Sequence, residues 1–176
     1  MDKIRITSGK YRGRTIKAPD FGGTHPMGSR EKIALFNMIN DYVAGGVILD
    51  AFSGSGALGI EALSRRAKKV VFIENNRIAY KTISENLASL GESGDLRYGD
   101  VYRILSESNE KFDVVIADPP YDKYDAEKIK ILARVVADPG GILVLSHPGE
   151  APEMPGLALE KTRKYARANI SVYRHA

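Results

Sequence analysis

Apolar residues along this chain follow two rhythms that take turns. From residue 46 onward, short continuous apolar runs alternate with segments whose apolar positions recur every three or four residues. Val47-Ile48-Leu49 ends in Asp50, Lys69–Ile73 ends in Glu74, and Leu96-Arg97-Tyr98 precedes Gly99-Asp100. Phe112–Ala117 ends in Asp118, and Ile142–Ser146 follows the turn Asp138-Pro139-Gly140-Gly141. Continuous runs of this length predict strands covered on both faces. Between them the spacing predicts a helix to about Arg66, a second carrying Ala79, Ile83, Leu87 and Leu90 and stopping at Gly91, a short one after Asp100, and one over about 125–136. Leu157–Lys161 and Ala168–Tyr173 predict a closing hairpin.

The first 46 residues are organised differently. Ile4–Thr7 and Thr15–Lys17 around Gly9 and Gly13 predict a small β-hairpin, and Pro19–Gly28 a loop broken by Gly22, Gly23 and Pro26. Ser29 is placed to cap a helix over about 30–43, with Glu31 in its first turn and Ile33, Phe36, Ile39 and Val43 as its apolar stripe. The whole predicts an α/β fold with a doubly wound, mostly parallel sheet over 29–176, preceded by a hairpin and loop extension over 1–28. In such sheets ligands sit beyond the carboxyl ends of the strands. Asp50, Glu74, Asp100 and Asp118 would all converge on that rim.

Composition removes several chemistries. The chain has 176 residues and no cysteine, so a disulfide framework, a thiolate zinc site and a cysteine nucleophile are excluded. His25, His147 and His175 are scattered, and no metal site is expected. There is no apolar run long enough to span a membrane and no signal-like stretch near the start, so a cytoplasmic location and a monomer are expected. Charge is more informative in its distribution than in its sum. Residues 1–17 carry six bases and one acid, and residues 161–176 carry five bases and no acid. The segment between holds 15 bases and 21 acids. Basic ends around an acidic middle suggest a polyanionic partner, although two solvated termini give the same count.

Asp50-Ala51-Phe52-Ser53-Gly54-Ser55-Gly56-Ala57-Leu58-Gly59 joins the first core strand to its helix. Gly54, Gly56 and Gly59 match G-x-G-x-x-G, and Glu74 lies 18 residues past Gly56, where an acid binds a ribose diol. A dinucleotide dehydrogenase, or a turn shaped by packing alone, fits the same pattern. Asp50 tilts the choice, because a carboxylate here opposes a pyrophosphate but attracts a cation. S-adenosylmethionine (AdoMet) carries a sulfonium and an ammonium and no phosphate. Val101 suits its adenine ring, and Asp100 either accepts from the adenine amino group or caps a helix.

Asp118-Pro119-Pro120-Tyr121 is the most specific motif in the chain. Two prolines stiffen the backbone and remove two donors, which leaves the Asp118 carboxylate and the Pro119 carbonyl as acceptors. The exocyclic amino group of a nucleobase offers two donors to such a pair. Holding both N–H bonds lets the nitrogen pyramidalise and aim its lone pair at a methyl group, so positioning does most of the work. Asp118 is also placed to take the released proton, and Tyr121 offers a face for stacking. A rigid turn with a surface tyrosine is the bland alternative. A duplex base cannot reach such a pocket, so a looped or flipped nucleotide is required.

These features together resemble the RsmD family, which methylates guanine N2 in small-subunit (16S) ribosomal RNA. The resemblance spans nearly the whole chain. It includes Ser8-Gly9-Lys10-Tyr11-Arg12-Gly13-Arg14, His25-Pro26 with Arg30 before Ala34-Leu35-Phe36-Asn37, the loop 50–59 with Glu61-Ala62-Leu63-Ser64-Arg65 behind it, and Asp118–Tyr121. His25-Pro26-Met27 stands where the family usually has Arg-Pro-Thr, and Ile33 replaces an acid. The resemblance implies a seven-stranded class I AdoMet-dependent methyltransferase sheet of the Rossmann-like kind, with its last strand antiparallel. It implies AdoMet, leaving as S-adenosylhomocysteine, held by Asp50, Phe52, Ser53, Gly54, Gly56, Glu74, Asn75, Asp100, Val101 and Asp118. Catalysis would fall to Asp118, Pro119, Pro120 and Tyr121, and Lys10, Arg12, Arg14 and Arg30 would contact RNA. The expected partner is ribosomal RNA or the small subunit. An adenine-N6 methyltransferase, a nicotinamide-dependent reductase and a non-catalytic RNA-binding module are the alternatives.

Overall fold

A computed structural model describes residues 2–20, 27–166 and 168–175. His25 and Pro26, with most of the predicted loop, lie outside the described residues. A two-stranded antiparallel hairpin, β1 (Lys3–Arg5) and β2 (Thr15–Lys17), opens the chain. Helix α1 (Ser29–Val43) leads into the sheet. Then follow β3 (Val47–Asp50), α2 (Ala57–Ser64), β4 (Lys69–Glu74), α3 (Arg77–Leu90), β5 (Asp95–Tyr98), α4 (Val101–Ser106) and β6 (Val114–Ala117). A 3-10 helix over Lys128–Val135, β7 (Ile142–His147), β8 (Leu157–Lys164) and β9 (Asn169–His175) complete the chain. The seven-stranded sheet has the order β5-β4-β3-β6-β7-β9-β8. Only β9 runs against its neighbours, pairing antiparallel with β7 and β8.

Strand residues alternate between two cores, which explains why the strands are apolar throughout. Ile48, Val70, Phe72, Val114, Ile116, Val144 and Val172 pack beneath α1, α2, α3 and the hairpin. Leu49, Val71, Ile73, Val115, Leu143, Leu145 and Tyr173 face α4 and the 3-10 helix. Among the described residues no helix is long and apolar enough to cross a membrane.

Three local expectations are corrected. Ser29 is not the cap of α1: Gly28 occupies that position without a side-chain bond, and Ser29 is the first helical residue. The buried stripe of α1 is Lys32, Leu35, Phe36, Ile39 and Val43, while Ile33 stays 41% exposed. A polar residue takes the inner position because the Lys32 ammonium donates to the Arg5 carbonyl (2.8 Å) and faces Glu61 (3.2 Å). The predicted helix over 125–136 is a 3-10 helix of eight residues. Its buried Ile129, Leu132 and Val135 recur every three residues, the spacing that a three-residue turn puts on one face.

The hairpin is stitched to the α1–α3 face by polar side chains. Glu61, fully buried on α2, accepts from Thr7 N (3.0 Å), Thr7 Oγ1 (2.6 Å) and Ser8 N (3.0 Å), and pairs with Arg65. Ser64 Oγ donates to the Ser8 carbonyl and accepts from Tyr11 N. Asn86 on α3 grips Lys17 at both backbone groups and donates to Ser55 O (3.1 Å). The Ser8–Arg14 segment and Glu61–Arg65 are therefore two halves of one contact.

Candidate active site

Parallel pairing sets β3, β4, β6 and β7 so that their last residues share one rim. Asp50 is level with Phe72 of β4 and Ile116 of β6, and Ala117 with Leu145 of β7. Asp118, one step beyond β6, thus lies between the ends of β3 and β7. Glu74 closes β4 on the same rim, opposite Tyr98 of β5.

The glycine loop is organised around two carboxylates. Ser53 Oγ donates to the Asp50 carbonyl (2.8 Å), and Ser53 N–H reaches the Ile73 carbonyl (3.1 Å). Glu74 accepts from Gly54 N (2.7 Å) through one oxygen and from Asn76 N (2.7 Å) through the other. Gly56 precedes α2 in the left-handed region, with φ of 77°. At Gly59 a Cβ would stand 2.2 Å from the Phe72 ring, so only glycine lets α2 lie this close to β4. The Gly59 N–H then donates to Asp50 Oδ2 at 2.9 Å. Asp50 Oδ1 is buried with no partner among the described residues. Burial pushes the Asp50 carboxyl up to about 7, and the charges of Asp118 and Glu74 add to that. An interior carboxylate with one bare oxygen calls for a cation, and its acceptor chemistry fits the ammonium end of AdoMet.

Around this centre lies an aromatic wall. Phe52 and Tyr102 meet edge to face, with ring centroids 5.9 Å apart. Tyr124, partly buried in the same cluster, has a hydroxyl without a partner. Val101 is buried at the start of α4. Asp100 is exposed and caps that helix, accepting from Arg103 N at 2.9 Å. Asn75 is exposed beside Glu74.

Asp118 is pushed up by burial, with the Ser146 hydroxyl acting in the opposite direction. Pro119 is buried, Pro120 exposed, and Tyr121 begins a single 3-10 turn. The Tyr121 hydroxyl and Ser146 Oγ lie 2.6 Å apart. Ser146, 1% exposed near the end of β7, thus anchors the tyrosine end of the Asp-Pro-Pro-Tyr segment. Sequence reasoning did not single it out. Its signal was positional: it sits on the strand after Asp118's, one residue past Leu145, the last partner of β6.

The rim gathers Asp50, Ser53, Gly54, Gly56, Glu74, Val101 and Asp118–Tyr121. It does not gather all the expected RNA contacts. Lys10 pairs with Glu92 just after α3, and Arg14 donates to the Ser89 carbonyl (2.8 Å) in the last turn of that helix. Lys10 N bonds the Ser64 carbonyl at the end of α2. The hairpin tip, with the exposed Arg12, therefore lies where the strands begin. Arg30, in the first turn of α1, is exposed toward the opposite end.

Residues 4–174 match the family model described as "Conserved hypothetical protein 95". The chain belongs to this family, the RsmD family. It is 32% identical to YlbH of Bacillus subtilis, named a candidate rRNA methyltransferase, over 97% of this chain and 98% of that protein. It is 37% identical to ribosomal RNA small subunit methyltransferase D of Haemophilus influenzae, over 68% of this chain and 64% of the relative. The RsmD-family fold is also evident in yhhF of Escherichia coli, described as a candidate methyltransferase. That structure superposes with a TM-score of 0.88 at 29% identity, over 99% of this chain and 98% of the other.

Proposed function

We propose that this RsmD-family chain is an AdoMet-dependent methyltransferase of a nucleobase amino group, and that its substrate is guanine N2 in small-subunit (16S) ribosomal RNA. The observation carrying the proposal is the pairing of two carboxylates at one rim. Asp50 offers a buried, half-satisfied negative charge, and Asp118 heads a proline-stiffened acceptor segment on the adjacent strand. Bound AdoMet supplies an electrophilic methyl group on its sulfonium. The protein supplies the rest. Asp50 attracts the cationic ligand, Glu74 suits its ribose hydroxyls, and Phe52, Asn75, Asp100 and Val101 border the expected adenine side.

The Asp118 carboxylate and the Pro119 carbonyl accept the two N–H bonds of the target amino group and turn its lone pair toward the donor. Tyr121 stacks on the base, an interaction worth roughly 1–3 kcal/mol. Ser146 holds the Tyr121 hydroxyl, and with it the plane of the ring. The raised pKa of Asp118 suits it to receive the proton the amino group sheds. Arg30, exposed in the first turn of α1, suits a phosphate of the flipped nucleotide, and Arg12 suits a more distant one. Kinship with the small-subunit methyltransferase of Haemophilus influenzae supports the RNA class of substrate.

The test uses labelled AdoMet and ribosomal RNA from cells lacking this protein, followed by mass mapping of the product. A single labelled guanine in 16S RNA, with the methyl on N2, is expected. Label on adenine, or on DNA in preference to RNA, would refute the assignment.

A further inference from the structure

The tip of the N-terminal hairpin and the bases at the end of β8 lie toward opposite rims of the sheet, and the β8 bases lie toward the rim of Asp118. β7 runs parallel to β6, so Ser146 and His147 end beside Asp118. β9 returns antiparallel with His147 level with Asn169, and Lys164 of β8 pairs with the same Asn169. The end of β8 and the start of β9, joined by the bond from Tyr165 N to the Ala168 carbonyl, therefore lie at the rim of Asp118. Lys161 is level with Val172, and Arg163 with Ile170. Both partners are buried in the core beneath α1, so Lys161 and Arg163 stand on the α1 side of the sheet, while Lys164, the last residue of the edge strand, projects from the other face at its tip. Helix α1 ends where β3 begins, and its first turn, with Arg30, points back toward this rim.

We propose that Lys161, Arg163 and Lys164 form the phosphate-docking surface that guides a looped RNA strand to Asp118–Tyr121. The proposal rests on the reading of this chain as an RNA-base methyltransferase. β8 is the sheet's edge strand, and every residue in it after Leu157 is exposed. Lys161, Arg163 and Lys164 form no ion pair among the described residues, and the segment 161–176 contains no acid. Cations on an edge also discourage strand pairing with another chain, but that role does not require them to gather in the half of the strand nearer the rim of Asp118. From β6 to β8 there are three strand spacings, about 15 Å at ~4.8 Å each, a span of a few nucleotides.

The N-terminal bases are poorer candidates for this task. Lys10 and Lys17 are paired with Glu92 and Glu85, and Arg14 is bonded to a helix carbonyl. The lengths of α2 and α3, eight and 14 residues, put the hairpin tip about 12–21 Å below the glycine loop.

The deciding experiment compares Lys161→Glu/Arg163→Glu/Lys164→Glu, the matching triple alanine variant, and Arg12→Glu/Arg14→Glu in the full chain. AdoMet affinity is measured by calorimetry, methyl transfer with a 16S RNA transcript and with small subunits from cells lacking the protein, and transcript affinity across a salt series. Both C-terminal triples should bind AdoMet like wild type, which also reports that they fold. The charge-reversed triple should lose at least tenfold in kcat/KM, through KM, and the alanine triple somewhat less. The slope of log affinity against log salt should fall by about 2, since each single-strand phosphate contact contributes ~0.7. The hairpin pair should lose less. A charge-reversed triple within twofold of wild type in kcat/KM and salt slope overturns the surface while leaving the enzymatic reading intact. If wild type transfers no methyl to RNA, yet charge reversal abolishes its transcript affinity, the surface stands and the enzymatic reading falls.

Discussion

At Asp50 the chain keeps a carboxyl in its interior with no cation paired to it among the described residues. Its pKa, raised from 3.8 to about 7, has a definite sign. Between those values the folded protein holds a proton that the unfolded chain has lost, so this group's stabilising contribution is greatest in acid and disappears as pH rises through 7. A cationic ligand selects the ionised form, so its affinity runs the other way. AdoMet affinity measured by calorimetry is expected to rise about tenfold from pH 6 to pH 8, the change in ionised fraction around a pKa near 7. Asp50→Asn should weaken binding and flatten the profile; an unflattened profile would assign the titration elsewhere. Ser146 makes a second residue-scale prediction. Ser146→Ala frees the Tyr121 hydroxyl, so kcat should fall about tenfold with the AdoMet affinity unchanged, and Ser146→Thr should restore part of it. Loss of one such bond costs roughly 1 kcal/mol or more. Asp50, Glu74 and Asp118 were legible because a charged residue at the end of an apolar strand is conspicuous. Ser146 was not, because its importance comes from β7 lying next to β6, a neighbour relation that sequence order alone does not declare.

Among the elements, strands were the most legible, since the alternation of two buried faces writes itself as continuous apolar runs. Helix faces were less so. In α1 the buried position is Lys32 and the exposed one Ile33, an inversion that follows from a partner 29 residues away on α2. The 3-10 helix over Lys128–Val135 hid for a different reason: a three-residue apolar period is easily taken for the first steps of an α-helical one. The contact between the N-terminal segment and α2 was visible only as two separate motifs. Its hub is Glu61, whose pKa is held below the usual glutamate range by Thr7 and Lys32 against the opposing effect of burial. Glu61→Ala strands a buried ammonium and the Thr7 and Ser8 amides, and should destabilise the fold by about 3–5 kcal/mol. Because the folded pKa is depressed, this contribution is present above pH 4.5 and is lost as pH falls through the folded value. Thermal melts of wild type and variant should therefore converge in acid. A variant that melts like wild type at pH 7 would remove Glu61 from this role.

For the whole molecule, the doubly wound sheet does what such sheets do in general: it collects side chains that are distant in sequence at one carboxyl rim. The sequence made that convergence predictable, and it made the two basic ends obvious. It did not say where the bases go: β8 runs up to the rim of Asp118, where antiparallel β9 begins, while the hairpin tip docks at the other rim. The proposed function requires a methyl donor and two stiffened acceptors to meet at that single rim. Single-turnover methyl transfer to 16S RNA by Asp118→Ala protein saturated with AdoMet tests this most directly. The rate should fall by about 10²-fold or more, as for loss of one preorganised charge-stabilising group, with AdoMet still bound. An undiminished rate at saturating cofactor would contradict the account.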